Sequence, residues 1–126
     1  MAEMILKSLL KERGITGIRV SSAGLCAVGG GMAAVAEQTL KNNNCEAAAF
    51  KSKRATEKML TESDMVVCMT QAHKDAVDGF ENVYTLGELA GCGDISDPYG
   101  EDGETYQKCF EELKQALIIL IGRKIL

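Results

Sequence analysis

The sequence predicts an α/β domain: a three-layer sandwich with a small parallel sheet and helices on both faces. Two observations carry this. Segments with helical periodicity alternate with short Ile/Val-rich runs along the whole chain, the order that builds parallel sheets from strand–helix–strand units. The run Met65–Met69, MVVCM, is apolar throughout, the mark of a strand covered on both faces. At 126 residues, with 46% hydrophobic and 25% charged residues, the composition suits one globular domain spanning residues 1–126.

The chain opens in a helix, MAEMILKSLLKERG. Met1, Ile5 and Leu9 alternate with Met4, Leu6 and Leu10 to give a broad apolar face. Lys11 and Arg13 suit the negative end of the helix dipole, and Gly14 marks the stop. No capping residue precedes the helix, so its first amides are expected to face water. Ile15–Ser22, ITGIRVSS, reads as a short strand, followed by a Gly-rich loop, AGLCAVGGG. Met32–Lys41 is helical again and stops in Asn42, Asn43 and Asn44. Thr56 is the expected N-cap of a short helix, Glu57–Glu62, and Thr70 that of another, Gln71–Val77. Val83–Leu86 reads as a strand. After the Asp/Gly-rich loop GCGDISDPYGEDG, a last helix runs from about Glu104 to Arg123, with Tyr106, Phe110, Leu113, Leu117 and Leu120 on one face.

Charge and cysteine usage exclude several function classes. The formal net charge is -4 and no Lys/Arg run reaches a nucleic-acid-binding length, so nucleic acid is not an expected partner. Ala116–Ile121, the longest strongly apolar stretch, is far too short to span a bilayer, and the sequence opens on no secretory pattern. Five cysteines without a C-x-x-C pair fit reduced thiols in the cytoplasm rather than a disulfide framework. The lone His73 stands near no cysteine cluster, so no metal and no other cofactor is expected.

Asp97-Pro98-Tyr99-Gly100 is the most informative tetrapeptide. Pro98 biases Asp97 toward an extended backbone, and Gly100 lets the chain turn behind the Tyr99 ring. Such a loop can hold a carboxyl over a cleft with an aromatic wall, where a protonated Asp can donate to a departing oxygen. An ordinary turn before a helix has the same signature. Cys26, after a strand and before a Gly-rich turn, has the best anion-binding surroundings of the cysteines, although packing in a loop accounts for it equally well. Cys68 reads as core and His73 as a solvated or capping residue. Lys51, Lys53 and Arg54 form a small basic patch.

In order and spacing, MAE opening a helix, SSAG after the next strand, SDMVVCMT with His73 three residues on, and DISDPYG followed by Tyr106 and a long helix match one pattern. The chain resembles the low-molecular-weight protein-tyrosine phosphatases of bacterial type, a family that includes protein-arginine phosphatases. The resemblance implies cysteine-dependent dephosphorylation of phosphoprotein through a phosphocysteine intermediate and without metal. It implies Asp97 as general acid and Tyr99 as a wall of the substrate slot. In that family a central first strand ends in a C-x-x-x-x-x-R-S-P phosphate loop that runs straight into M-A-E.

The sequence begins at the M-A-E. No cysteine in it can substitute: six positions after Cys26, Cys45, Cys68, Cys92 and Cys109 stand Met32, Lys51, Lys74, Pro98 and Gln115, none an Arg. The chain is therefore expected to lack the first strand, the nucleophile and the phosphate cradle, to be inactive as given, and to start at what is an internal Met of a longer native chain. Phe50 stands where family members often carry a His, a second departure. Without a central strand, Ile18–Ser21 and Met65–Met69 are expected either to pair with each other or to recruit another chain, giving a homo-oligomer or a pseudophosphatase binding module through exposed strand edges. A thiol-dependent arsenate reductase shares the fold, but its disulfide relay needs two cysteines close together after the third strand. Here Cys68 lies within that strand and the next cysteine is Cys92.

Overall fold

The computed structural model describes residues 1–24, 32–45, 53–77 and 79–126. The elements in chain order are α1 (Ala2–Glu12), α2 (Ala34–Asn42), α3 (Glu57–Glu62), β1 (Val66–Cys68), α4 (Gln71–Ala76), β2 (Val83–Thr85), α5 (Leu86–Ala90) and α6 (Gly103–Gly122). The periodic helices form where their apolar spacing places them, and their ends follow from local chemistry. Thr56 and Thr70 accept the Met59 and His73 amides as N-caps of α3 and α4, as expected from the sequence. Asp102 does the same for α6 through the Thr105 amide. At the end of α2, Asn44 takes φ 60°. The Asn44 amide donates to Lys41 O (3.1 Å) and the Cys45 amide to Leu40 O (2.8 Å), satisfying carbonyls that the helix leaves open.

β1 and β2 are parallel, with Val66 opposite Val83 and Cys68 opposite Thr85. The loop between them carries α4, the crossover that parallel pairing requires. Two expectations are corrected here. Ile15–Ser22 is not a strand, and no described residue pairs with it. Its sequence has the composition of a strand, but a strand is defined by a ladder to a neighbouring strand; among the described residues its backbone bond is that of the Ile15 amide to Leu10 O (2.9 Å), at the end of α1. Nor do Ile18–Ser21 and Met65–Met69 close up on each other. MVVCM, in turn, is half-buried rather than covered on both faces. The Val66 amide donates to Asn82 O at 2.9 Å, so the alternation of a ladder turns the Val67 N–H and C=O toward the other edge, where no described strand receives them.

A third difference is small. The expected strand Val83–Leu86 ends at Thr85, and a short helix, α5, starts at once. Thr85 and Glu88 form a reciprocal capping box, each side chain bonding the other's backbone amide.

The core is built by helices. Ile5, Leu9 and Leu10 of α1, Leu40 of α2, Leu86 and Ala90 of α5, and Phe110, Leu113, Leu117 and Leu120 of α6 belong to one cluster. Phe110, Ile5, Leu40, Leu86 and Leu120 are the largest side chains almost wholly withdrawn from water. Burying each is worth about 1.5–3 kcal/mol. Ile18, Val20 and Val67 pack against this cluster only half-buried. Asn43 and Gln107 exchange amide hydrogen bonds of 2.7 and 3.2 Å and fasten α2 to α6.

Candidate active site

Asp97 and Tyr99 lie in the loop between α5 and α6, and both are exposed, Tyr99 by 77%. The Tyr99 amide donates to Asp97 Oδ1 at 3.0 Å, an Asx-type turn that fixes the carboxyl over the start of the turn. The left-handed φ of 84° at Gly100 completes the turn, as the tetrapeptide predicts. Three contacts pin the stretch before it. Asp94 Oδ1 accepts the Gln71 amide at the start of α4 (3.2 Å). The Ile95 amide donates to Met69 O just after β1 (3.0 Å), with Ile95 itself buried. The Cys109 thiol of α6 approaches Ser96 O at 3.8 Å.

The perturbations of neighbouring groups show what shares this corner. Tyr106 of α6 is buried. Its phenol is pushed above the usual tyrosine value first by desolvation, then by the charge of Asp97 and by Tyr99 and Cys109. Burial also raises the Cys109 thiol, helped by Glu112 and Asp97 and opposed by the Met1 amino group. The Met1 amino group is lowered by burial, against the pull of Cys109, Glu3 and Asp97. The charge of Asp97 is thus felt at the start of α1, whose first amides receive no side-chain cap from the described residues.

From α1 the site continues to Ser22–Gly24. Ser22 Oγ donates to Glu3 Oε1 at 2.8 Å, and Lys7 Nζ bonds Glu3 Oε2 at 2.8 Å. The Glu3 carboxyl is only 10% exposed. Burial raises its pKa, but the bonds from Lys7 and Ser22 outweigh this and hold it below the ordinary glutamate value. Gly24 forms a single parallel bridge with Arg54. Its amide donates to Lys53 O and its carbonyl accepts the Ala55 amide, both at 2.9 Å. The exposed cations Lys53 and Arg54 are thus carried on a segment tied to the first turn of α1.

The sequence matches the description "Low molecular weight phosphotyrosine protein phosphatase" over residues 1–125. The chain belongs to this family. It is 31% identical over 126 residues to a protein-arginine-phosphatase of Geobacillus stearothermophilus, covering 94% of this chain and 84% of that one. A second protein-arginine-phosphatase, from Bacillus subtilis (strain 168), is 29% identical over 130 residues, covering 93% and 82%. The crystal structure of a low-molecular-weight protein tyrosine phosphatase from T. tengcongensis superposes with a TM-score of 0.90 at 30% identity, covering 97% of this chain and 88% of that one. A YwlE arginine phosphatase mutant with a phosphorylated active-site serine also gives 0.90, at 28% identity with 97% and 84% covered.

Within this phosphatase fold the other sequence candidates fall apart from the corner or outside the described residues. Cys26, Phe50 and Lys51 lie outside them. His73 is exposed in the first turn of α4, where Thr70, not His73, is the cap: the His73 amide donates to Thr70 Oγ1. Cys68 is half-buried in β1. Burial raises its thiol, only partly opposed by Lys74. Cys45 is buried and Cys92 exposed. Among the described residues no group of three or more His, Cys, Asp or Glu could hold a metal ion, and no helix is long and apolar enough to cross a membrane.

Glu3, Ser22 and Cys109 were not singled out from the sequence. The Glu3/Lys7 spacing of four residues was visible as a helical ion pair. The Ser22 contact, 19 residues from Glu3, had no local signature.

Proposed function

We propose that these 126 residues form the general-acid part of a cysteine-dependent phosphatase acting on phosphorylated protein in the cytoplasm. What supports this reading is the Asp97–Gly100 turn, in which the Tyr99 amide holds the Asp97 carboxyl and the stretch before it is tied to α4, to Met69 and to α6. In the complete reaction a thiolate attacks phosphorus, forming the S–P bond while the bond from phosphorus to the leaving group breaks. Asp97 gives its proton to the departing atom. It then takes a proton from the water that attacks the phosphocysteine and frees phosphate. Tyr99 walls the slot. The phosphorylated active-site serine of the related arginine phosphatase mutant fits a covalent phosphoenzyme in that relative.

The nucleophile and its Arg are not among these residues, since no Cys here is followed six positions later by Arg. We read the 126-residue chain as catalytically silent by itself. Two measurements test this. The chain alone should not turn over phosphopeptides. Joined to the phosphate loop of a related phosphatase it should do so, and Asp97→Asn should then lower kcat by about 10²–10⁴-fold. Cysteine-dependent turnover by the 126-residue chain alone, or an unchanged kcat in Asp97→Asn, would overturn the reading.

The open Val67 edge of β1 favours one second reading, a pseudophosphatase that self-associates by strand addition. Light scattering separates the two: a mass that rises with concentration supports self-association, and a constant monomer mass removes it.

A further inference from the structure

The Glu3 carboxyl is almost enclosed, at 10% exposure, yet it lies at the rim of the proposed site rather than in the core cluster. Burying a carboxylate is costly unless its oxygens are bonded. Here Oε1 takes the Ser22 hydroxyl and Oε2 takes Lys7, both at 2.8 Å. Lys7 belongs to the same helix and is half exposed, so that pair does not join two parts of the fold. The Ser22 bond does, linking residues 19 apart.

What it joins is specific. Ser22 stands two residues before Gly24, whose amide and carbonyl hold Lys53 O and the Ala55 amide. No described residue pairs with the backbone of Ile18–Ser21, so no described ladder fixes this segment from the strand side. We propose that Glu3 is a positioning residue: through Ser22 it holds the Ser22–Gly24 segment, and with it Lys53 and Arg54, in register with the first turn of α1. The exposed cations Lys53 and Arg54 then stand on a segment tied to α1, which suits an anionic phosphoprotein. That meaning rests on the phosphatase reading; the brace itself does not.

The test uses the 126-residue chain and reads amide hydrogen exchange by NMR at neutral pH. Losing one charge-assisted hydrogen bond that holds a segment should speed exchange of the Gly24 and Ala55 amides by roughly tenfold or more. Glu3→Ala and Ser22→Ala should each do this, while Leu113 and Leu117 in α6 keep their protection. The double variant should be no worse than either single one, because both remove the same bond. Glu3→Gln keeps an oxygen for Ser22 and should restore Gly24 and Ala55 to within about threefold of the parent, since a neutral acceptor bonds more weakly. Unchanged Gly24 and Ala55 exchange in Ser22→Ala would overturn the brace. So would loss spread evenly over all amides, or Glu3→Gln behaving as Glu3→Ala. If Glu3→Ala fails to fold, Ser22→Ala and Glu3→Gln decide the matter. None of these outcomes touches the assignment of Asp97, which is judged by turnover.

Discussion

Gly87→Ala tests how the Asp97 loop is held, because its sign separates two accounts. Gly87 lies in α5, where an Ala in open space would stabilise the helix by about 0.5–1 kcal/mol over Gly. The space is not open. A Cβ on Gly87 would stand 2.6 Å from Cys92 O, 3.1 Å from Gly93 O and 3.3 Å from the Gly93 carbonyl carbon. All three are backbone atoms of the stretch leading to Asp94 and Asp97, so no flexible side chain can swing aside. The same turn is tied from the other direction, since Gly87 O accepts the Gly91 and Cys92 amides at 2.8 and 2.9 Å. Relieving the contact means moving the 92–93 backbone by most of an ångström. Such overpacking costs about 1–3 kcal/mol, leaving a net loss of about 1–2 kcal/mol after the helical gain. Urea denaturation should show a lower midpoint with an unchanged slope. Exchange of the Ile95 amide, bonded to Met69 O, should quicken more than exchange in α6. A midpoint at or above that of the parent chain would refute the close approach. It would also refute the idea that α5 packing fixes the Asp97 loop.

Lys124 takes the left-handed φ of 56° just beyond α6, where its amide bonds Ile121 O and the Ile125 amide bonds Leu120 O. Lys124→Gly should keep those bonds, relieve the strain and stabilise by about 0.5–1 kcal/mol, read as a higher urea midpoint. Glu3 is held below its ordinary pKa, so its contribution to stability is complete above the unfolded-state value of 4.5 and is lost as pH falls through the lower folded value. Glu3→Gln should flatten that part of the stability–pH curve, and equal acid sensitivity in both proteins would contradict it.

What was legible in the sequence is what depends on neighbours in the chain. The apolar spacing of α1 and α6, the threonine caps of α3 and α4, and the turn at Asp97–Gly100 all follow from local chemistry and stand where the residues place them. The turn carrying Asp97 and Tyr99 was legible because D-P-Y-G is a local signal. Where sequence reasoning went astray, the deciding partner was distant or unconsidered. Ile15–Ser22 has strand composition, but composition cannot supply the hydrogen-bonded neighbour that makes a strand. The first residue of α5, Leu86, reads as part of the preceding strand, although Thr85 and Glu88 spell a capping box. The Leu86 that looked like a strand's last residue is the helix's first.

This division bears on how the site is assembled. The described sheet, of two strands, is too small to position a loop, and no described strand pairs with the other edge of β1. The loop carrying Asp97 is held instead from helices and from its own buried Ile95: the start of α4 through Asp94, α6 through Cys109, and α5 through the close approach at Gly87. The helices are in turn fixed by the cluster around Phe110, Leu40 and Ile5. Asp97 therefore keeps its place through the helices around its loop rather than through the sheet.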